Sequence, residues 1–215
     1  MLDEYQDIYC QIVEEIRLRV LYAEGLALGG DDIVFIESVT LQIRKILELI
    51  AYLSIIVNRK SLNHDERNAY HAKKIIENLQ DKTEIFYPFP SRMIFSDSGV
   101  EPTLIPLPQD NYLSISEFVK LYQMCGKVLH AQHPMKKKLN FSEIKYNNSV
   151  YLEKLKDLLA YHTIPVRLND HEYVFLSVEI DFSNSSSTRN PKVREYRSHI
   201  YNEEQLIEIF HGKFS

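Results

Sequence analysis

The chain of 215 residues has no tryptophan, two cysteines and six glycines. Cys10 and Cys125 are far apart in the sequence and form no CxxC pair, which suits a reducing cytoplasm better than a disulfide framework. No glycine-rich phosphate loop, nucleophile elbow or HExxH motif is present. A chain of this length buries enough apolar surface to fold without a covalent or metal cross-link. We therefore predict no cofactor.

An excess of positive charge is also missing, since 30 acidic residues outweigh 25 lysines and arginines and give a net charge of −5. This argues against bulk coating of nucleic acid, although a local basic patch remains open. The most apolar stretch, 33–57, carries charged side chains such as Arg44 and Glu48, which are costly at the centre of a bilayer. The first residues also lack the layout of a signal peptide. We expect a soluble cytoplasmic protein without a membrane span.

Apolar periodicity predicts a mainly α protein whose first part, 1–161, is a bundle of about five helices. The helices are predicted at about 3–23, 32–58, 64–81, 114–131 and 147–161. Ser114 and Glu117 form a capping box that marks the start of the fourth helix. From 162 to 215 the pattern predicts a small antiparallel β hairpin or three-stranded sheet and a terminal helix, packed on the same domain. The hairpin is expected at about 163–182 and a third strand at about 192–200.

The segment 83–111 breaks the helical pattern, because its five prolines exclude a continuous helix and no alternation marks a strand. A structureless segment of this length is uncommon inside one domain. Its many aromatic and aliphatic side chains predict that it packs against the bundle. Two interpretations stay open: a long ordered connector and a functional lid.

The second predicted helix carries the first candidate site. Glu37, Arg44 and Glu48 fall within about 40° of one another on the helical wheel, on a helix that must be buried on most sides. Because buried charges need partners, Arg44 is predicted to pair with Glu48, which would orient it. The structural alternative is an internal ion-pair network or a single solvated stripe.

The end of the fourth predicted helix carries the second candidate site. Gly126 marks a face where another helix can approach closely, and His130 lies one turn later on that face. We predict that His130 points into the bundle towards Arg44, where its ordinary pKa near neutrality suits proton transfer. Lys127 and His133 are further binding candidates. His130 and His133 have no third ligand at a suitable spacing, so no metal site is predicted.

The segment Leu41–Ile50, followed later by Gly-x-x-Leu-His-Ala-x-x-Pro from Gly126, resembles uncharacterised bacterial helical proteins. Over roughly residues 5–160 the chain also loosely resembles the HEPN superfamily. That family's four- or five-helix bundles include metal-independent ribonucleases of toxin–antitoxin and antiphage systems. Its signature is an Arg and a His four to six residues apart on one helix. The fourth helix departs from this pattern because no Arg precedes His130, while Arg194 and His199 match the spacing only after the bundle.

The resemblance implies a HEPN-like protein of a bacterial defence or toxin-related system that binds RNA or cleaves it without a metal. In that chemistry the Arg and the His share activation of a ribose 2′-OH and stabilisation of the phosphate. It would give these roles to Arg44 and His130 if they meet across two helices. The alternative is a non-enzymatic module whose apolar helix faces form a homo-oligomer or hold a cognate protein partner. An enzyme needs the two side chains in an accessible cleft, whereas a module would seal them in the core or at an interface.

Overall fold

A computed structural model of the chain describes residues 2–94, 103–108, 111–135, 137–169, 172–183, 191–197 and 203–210. The helices are α1 (Leu2–Ala27), α2 (Ile33–Asn58), α3 (His64–Arg67), α4 (Ala72–Gln80), α5 (Ile115–Leu129), α6 (Phe141–Leu159) and α7 (Glu203–Phe210). The strands are β1 (Phe89–Ile94), β2 (Thr103–Pro106), β3 (Tyr161–Asn169), β4 (Glu172–Glu179) and β5 (Lys192–Arg197). A mainly α protein is therefore confirmed, with a sheet added to the helices.

The helix α2 is the centre of the helical part, as its apolar circumference predicts. It packs against α1, α4, α5 and α6, and it also touches β3. Ile43, Ile46, Leu47 and Ile50 are fully buried in one cluster with side chains of those neighbours. A helix that is apolar on most sides needs neighbours on most sides, and this arrangement supplies them.

The five strands form one antiparallel sheet in the order β2-β1-β3-β4-β5. Its inner face carries Ile164, Val166, Leu176 and Val178, which belong to the same core cluster as the helices. Its outer face is covered at one end, where Phe175 and the neighbouring Tyr173 pack on Leu206 of α7 in a smaller cluster. The sheet thus joins the bundle through one face, and in the described part of the chain the exposed Lys192 and Arg194 of β5 mark an open part of the other face.

Two predicted helices differ from the structure for clear local reasons. The helix predicted at 64–81 is divided into α3 and α4, because the Asn68 side chain bonds the carbonyl of His64 and caps the first turn. The helix predicted at 147–161 begins at Phe141, because the Asn140 side chain accepts a hydrogen bond from the N–H of Glu143. The Ser114 capping box was correct, since both of its reciprocal hydrogen bonds form.

The size of the sheet is the main correction to the predicted fold. A hairpin or three-stranded sheet near the C-terminus was expected, and β3, β4 and β5 do form one. The segment 83–111, however, adds β1 and β2 instead of a connector or lid without strands. Pro90 and Pro106 lie inside these strands and hide the pattern, since proline lacks the N–H that strands normally donate. In the described part of the chain, no helix is long and apolar enough to cross a membrane.

Candidate functional site

Arg44 is the centre of a polar cluster between three helices. Its Nε lies 3.3 Å from Oε1 of Glu48 one turn later, and its Nη2 donates a 3.0 Å hydrogen bond to the hydroxyl of Tyr122 on α5. The predicted pair therefore forms. It is only partly buried, since the side chains are 26% and 15% exposed. The guanidinium carbon also lies 4.5 Å from the centre of the Tyr122 ring.

The Tyr122 hydroxyl binds groups from three directions. Besides Arg44, it is hydrogen-bonded to the backbone N–H of Ala72 at the start of α4, and it donates to Oε1 of Glu48 at 3.5 Å. The exposed ring of His71 meets the Tyr122 ring edge-on, with 5.2 Å between centres. Because these polar atoms satisfy one another, the cluster is a junction that ties α2, α4 and α5 together.

Gly126 gives the Arg44 side chain its space. A Cβ atom at position 126 would lie 3.2 Å from Nη1 of Arg44, so a larger residue would displace the guanidinium. The close approach that the sequence predicts here is real, and the approaching group is Arg44 of α2. Beside it, burial raises the pKa of Cys125 to about 12, so this thiol stays protonated and behaves as an apolar side chain.

The prediction that His130 points into the bundle was wrong. The helix α5 ends at Leu129, and His130 is its exposed C-cap with an extended backbone (φ −86°, ψ 139°). Within the described residues, the hydrogen bonds and the ion pair of the Arg44 side chain go to Glu48 and Tyr122, and none goes to His130. A capping residue leaves the helical path, so extending the helix through 131 misplaced this side chain.

The other predicted site residues are also placed apart from the Arg44 cluster. Lys127 and His133 are exposed, and His133 accepts a hydrogen bond from the N–H of Met135 through Nδ1. Glu37 is half-buried two turns before Arg44, which pairs with Glu48 instead. Among the described residues, no three histidine, cysteine, aspartate or glutamate side chains form a group that could hold a metal ion.

One end of the sheet brings three cations together. Arg92 of β1 and Lys192 and Arg194 of β5 line one depression of about 110 Å³. Across the strands, Ser177 of β4 stands opposite Arg194. Glu179 is the acidic residue in this depression, and its carboxylate lies 3.4 Å from Nζ of Lys192. We call Arg92, Lys192 and Arg194 the basic patch.

Tyr161 lies where the basic patch adjoins a second, larger cavity. Together with Glu179 and Lys192, it lines both the depression of the patch and a cavity of about 480 Å³. The guanidinium carbon of Arg92 lies 3.9 Å from the centre of this ring, so the cation stacks on the aromatic face. Lys156 and Asp157 lie on the wall of the larger cavity. The pKa of Asp157 is raised, first by its burial and then by the negative charge of the nearby Glu153.

Sequence reasoning did not find this surface. The signal in the sequence was the alternation in β5, where Lys192, Arg194 and Tyr196 are two residues apart and so share one face. Arg92 carried no such signal, because it lies in the proline-rich segment that gave no strand pattern. The basic patch therefore depends on the pairing order of the strands, which one sequence does not reveal.

Comparison of the chain with protein-family models, curated proteins and solved structures finds no match. The resemblance to the HEPN superfamily stays a prediction.

Proposed function

We propose that this protein binds single-stranded RNA through the open part of its sheet. The observation that carries the proposal is the convergence of the basic patch from β1 and β5 on one depression. The chain has a net charge of −5, but in this depression three cations face one carboxylate. Local positive potential of this kind binds phosphates whatever the sign of the total charge.

Arg194 is the member of the patch best placed to contact a phosphate. It is exposed, and within the described ranges its side chain makes no hydrogen bond or ion pair to a protein group. Its five donors are therefore available for a phosphate, which a planar guanidinium binds in a bidentate way. Lys192 forms an ion pair with Glu179, and Arg92 is stacked on Tyr161. Ser177, opposite Arg194, supplies a hydroxyl for a ribose 2′-OH, the group that distinguishes RNA from DNA.

The test is fluorescence anisotropy with a short labelled single-stranded RNA at several salt concentrations. We expect the logarithm of the binding constant to fall with the logarithm of salt with a slope of about 2, from roughly 0.7 for each of three phosphate contacts. Arg194→Ala should weaken binding and reduce that slope by about 0.7. Lys74→Ala is the matched control, because Lys74 is an exposed cation on α4 outside the patch. It removes the same charge and should leave binding unchanged.

Two results would contradict the proposal. Equal losses from Arg194→Ala and Lys74→Ala would show that only the total charge of the protein matters. Equal affinity for a single-stranded DNA of the same sequence would contradict the assignment to RNA.

Cleavage of RNA is the part of the HEPN interpretation that the geometry supports least. Nε and Nη2 of Arg44 already donate to Glu48 and Tyr122, and His130 is exposed beyond the end of α5. We expect labelled RNA to remain intact during incubation with the wild-type protein and a metal chelator. Cleavage that disappears in His130→Ala would restore the ribonuclease interpretation. The defence or toxin-related setting remains a prediction.

Self-association is the second candidate function, and one surface favours it. Leu18 and Tyr22 of α1 and Val34 and Leu41 of α2 are exposed apolar side chains. The two helices are joined nearby by the hydrogen bond from Arg19 to Gln42. Exposed apolar groups on adjacent helices are typical of a protein interface. Light scattering after gel filtration tests this candidate, since Leu18→Glu with Leu41→Glu should convert a dimer into a monomer.

A further inference from the structure

We infer that the Tyr161 ring is a stacking platform for one unpaired base of the bound RNA, with the base in the 480 Å³ cavity beside it. This inference rests on the proposed RNA binding, and it specifies that the bound RNA has at least one unpaired base. It requires a strand whose bases are free to leave their neighbours. It therefore excludes a double helix as the preferred ligand.

The position of Tyr161 supports this role. Tyr161 lines both the basic patch and the larger cavity, as Glu179 and Lys192 also do, and it is the aromatic residue that the two spaces share. Arg92 covers the ring with its guanidinium 3.9 Å from the ring centre. A cation on an aromatic face and an aromatic face next to a cavity are both features of single-strand binding surfaces. The cavity volume is within the range of pockets that hold small organic molecules.

The distribution of charge fixes the orientation of the strand. The depression of the basic patch has three cations against Glu179, which favours the phosphates on that side of the ring. The larger cavity shares Glu179 and Lys192 with that depression, and its own charged residues are Asp157, Asp181 and Lys156, so carboxylates outnumber cations there. Carboxylates repel phosphates but accept hydrogen bonds from the amino groups of bases. The backbone should therefore follow β5 while a base turns over Tyr161 into the cavity.

The shape of the site selects single strands over duplexes. In a double helix every base is stacked and paired, so Tyr161 could reach one only after it is extruded, which costs a few kcal/mol of unstacking. An RNA duplex offers the basic patch its phosphates and nothing to the ring. Single-stranded RNA offers both, because every unpaired base has a face that stacks on an aromatic side chain.

The experiment uses the absence of tryptophan from the chain. Tyr161→Trp introduces a single tryptophan at the platform, and its fluorescence should be quenched on titration with single-stranded RNA. The midpoint of quenching should equal the midpoint of an anisotropy titration on the same protein. Tyr146→Trp is the matched control, because Tyr146 is an exposed tyrosine near the start of α6. Its fluorescence should not change.

Three variants test the contribution of the ring to affinity. Tyr161→Phe keeps the ring and should bind like the wild type. Tyr161→Ala should bind roughly 5- to 150-fold more weakly, the factor expected for the loss of one stacked base. Arg92→Lys keeps the charge but loses the planar group, and it should fall between them. Thermal melts of each variant exclude unfolding as the cause, and the quenching experiment does not depend on the alanine variant.

The outcomes separate the inference from the proposed function. Binding that depends on Arg194, without quenching at position 161 and with equal affinity for duplex RNA, would overturn the stacking platform and leave RNA binding standing. No binding of RNA by the wild type would overturn both. Quenching at position 161 with a clear preference for the single strand over the duplex is the result we expect.

Discussion

Arg44 and Arg194 show how differently two arginines of one protein can be used. Arg44 contacts Glu48 and Tyr122 in a junction of three helices. Arg194 lies exposed on the outer sheet face and, in the described part of the chain, binds no other side chain. The charged residue that looked most unusual in the sequence is therefore a structural one. The residue with free donors stood out only through its spacing to His199, outside the predicted bundle.

The strand β4 makes the same contrast between neighbours. Leu176 is buried against the helices, and the next residue, Ser177, faces the depression of the basic patch. Successive side chains of a strand point to opposite faces, so one strand contributes to both the core and the open surface. Substitutions at these two neighbouring positions therefore compare the contributions of the two faces to the free energy of unfolding.

The largest expected effect is at Leu176. Leu176→Ala should lower the free energy of unfolding by about 2–5 kcal/mol, because it leaves a cavity in the core. Ser177→Ala should change it by no more than about 0.5 kcal/mol. Urea denaturation followed by circular dichroism measures both. Similar losses at the two positions would mean that the outer face is as tightly packed as the inner one.

The inner face also contains a titrating group. His162 is fully buried, and its Nδ1–H donates to the carbonyl of Leu159 at 2.9 Å. Its Nε2 accepts a 2.9 Å hydrogen bond from the Tyr9 hydroxyl, so both nitrogens are satisfied in the neutral ring. Burial lowers the pKa of His162 from 6.5 to about 4.

This pKa predicts a loss of stability in mild acid. Between pH 6.5 and about 4 the unfolded chain binds a proton at His162 that the folded protein does not bind. The free energy of unfolding should therefore fall as the pH drops through this range, by up to roughly 3 kcal/mol. Urea denaturation at a series of pH values measures the slope. It should be shallower in His162→Gln and unchanged in His130→Ala, which removes an exposed histidine. Equal slopes in all three proteins would exclude His162 as the cause.

The junction around Arg44 should give an intermediate effect. Tyr122→Phe removes the hydroxyl that three groups share and should cost about 1–3 kcal/mol of stability. Arg44→Ala should cost roughly 1–2 kcal/mol, less than the 3–5 kcal/mol of a fully buried pair, because both side chains are partly exposed. Thermal melts measure both. Lys45→Ala is the control, since Lys45 also pairs with Glu48 but from an exposed position. A cost from Lys45→Ala equal to that from Arg44→Ala would show that the junction adds nothing beyond a surface ion pair.

Local signals in the sequence predicted the helices and the Arg44–Glu48 pair. The apolar circumference of α2 gave its burial, and the spacing of one turn gave the ion pair. The partner on α5 was not predicted correctly. Gly126 indicated the right face, but the approaching side chain meets Tyr122 and not His130. Which residues meet across two helices depends on where each helix ends and how the two cross, and periodicity does not encode either.

The sheet was predicted only where its strands follow one another in the sequence. The hairpin of β3 and β4 and the adjacent β5 are local and have alternating patterns. The pairing of Phe89 with Thr163 joins residues far apart in the chain, and Pro90 next to it hides the strand. Long-range pairing of this kind has no periodic signature. Since the basic patch needs both β1 and β5, it could not be predicted from the sequence.

The smallest expected effect on stability is at Arg194, and it completes the comparison with Arg44. Arg194 is exposed on β5 at the edge of the sheet, and its side chain has no partner among the described residues. Arg194→Ala should therefore change the free energy of unfolding by no more than about 0.5 kcal/mol, the usual limit for such surface positions. The same variant should lose RNA affinity and salt dependence, while Arg44→Ala should lose stability and keep both. Urea denaturation measures the stability of each variant, and RNA anisotropy measures its affinity. A loss of stability in Arg194→Ala and a loss of RNA affinity in Arg44→Ala would show that the two arginines have the opposite roles.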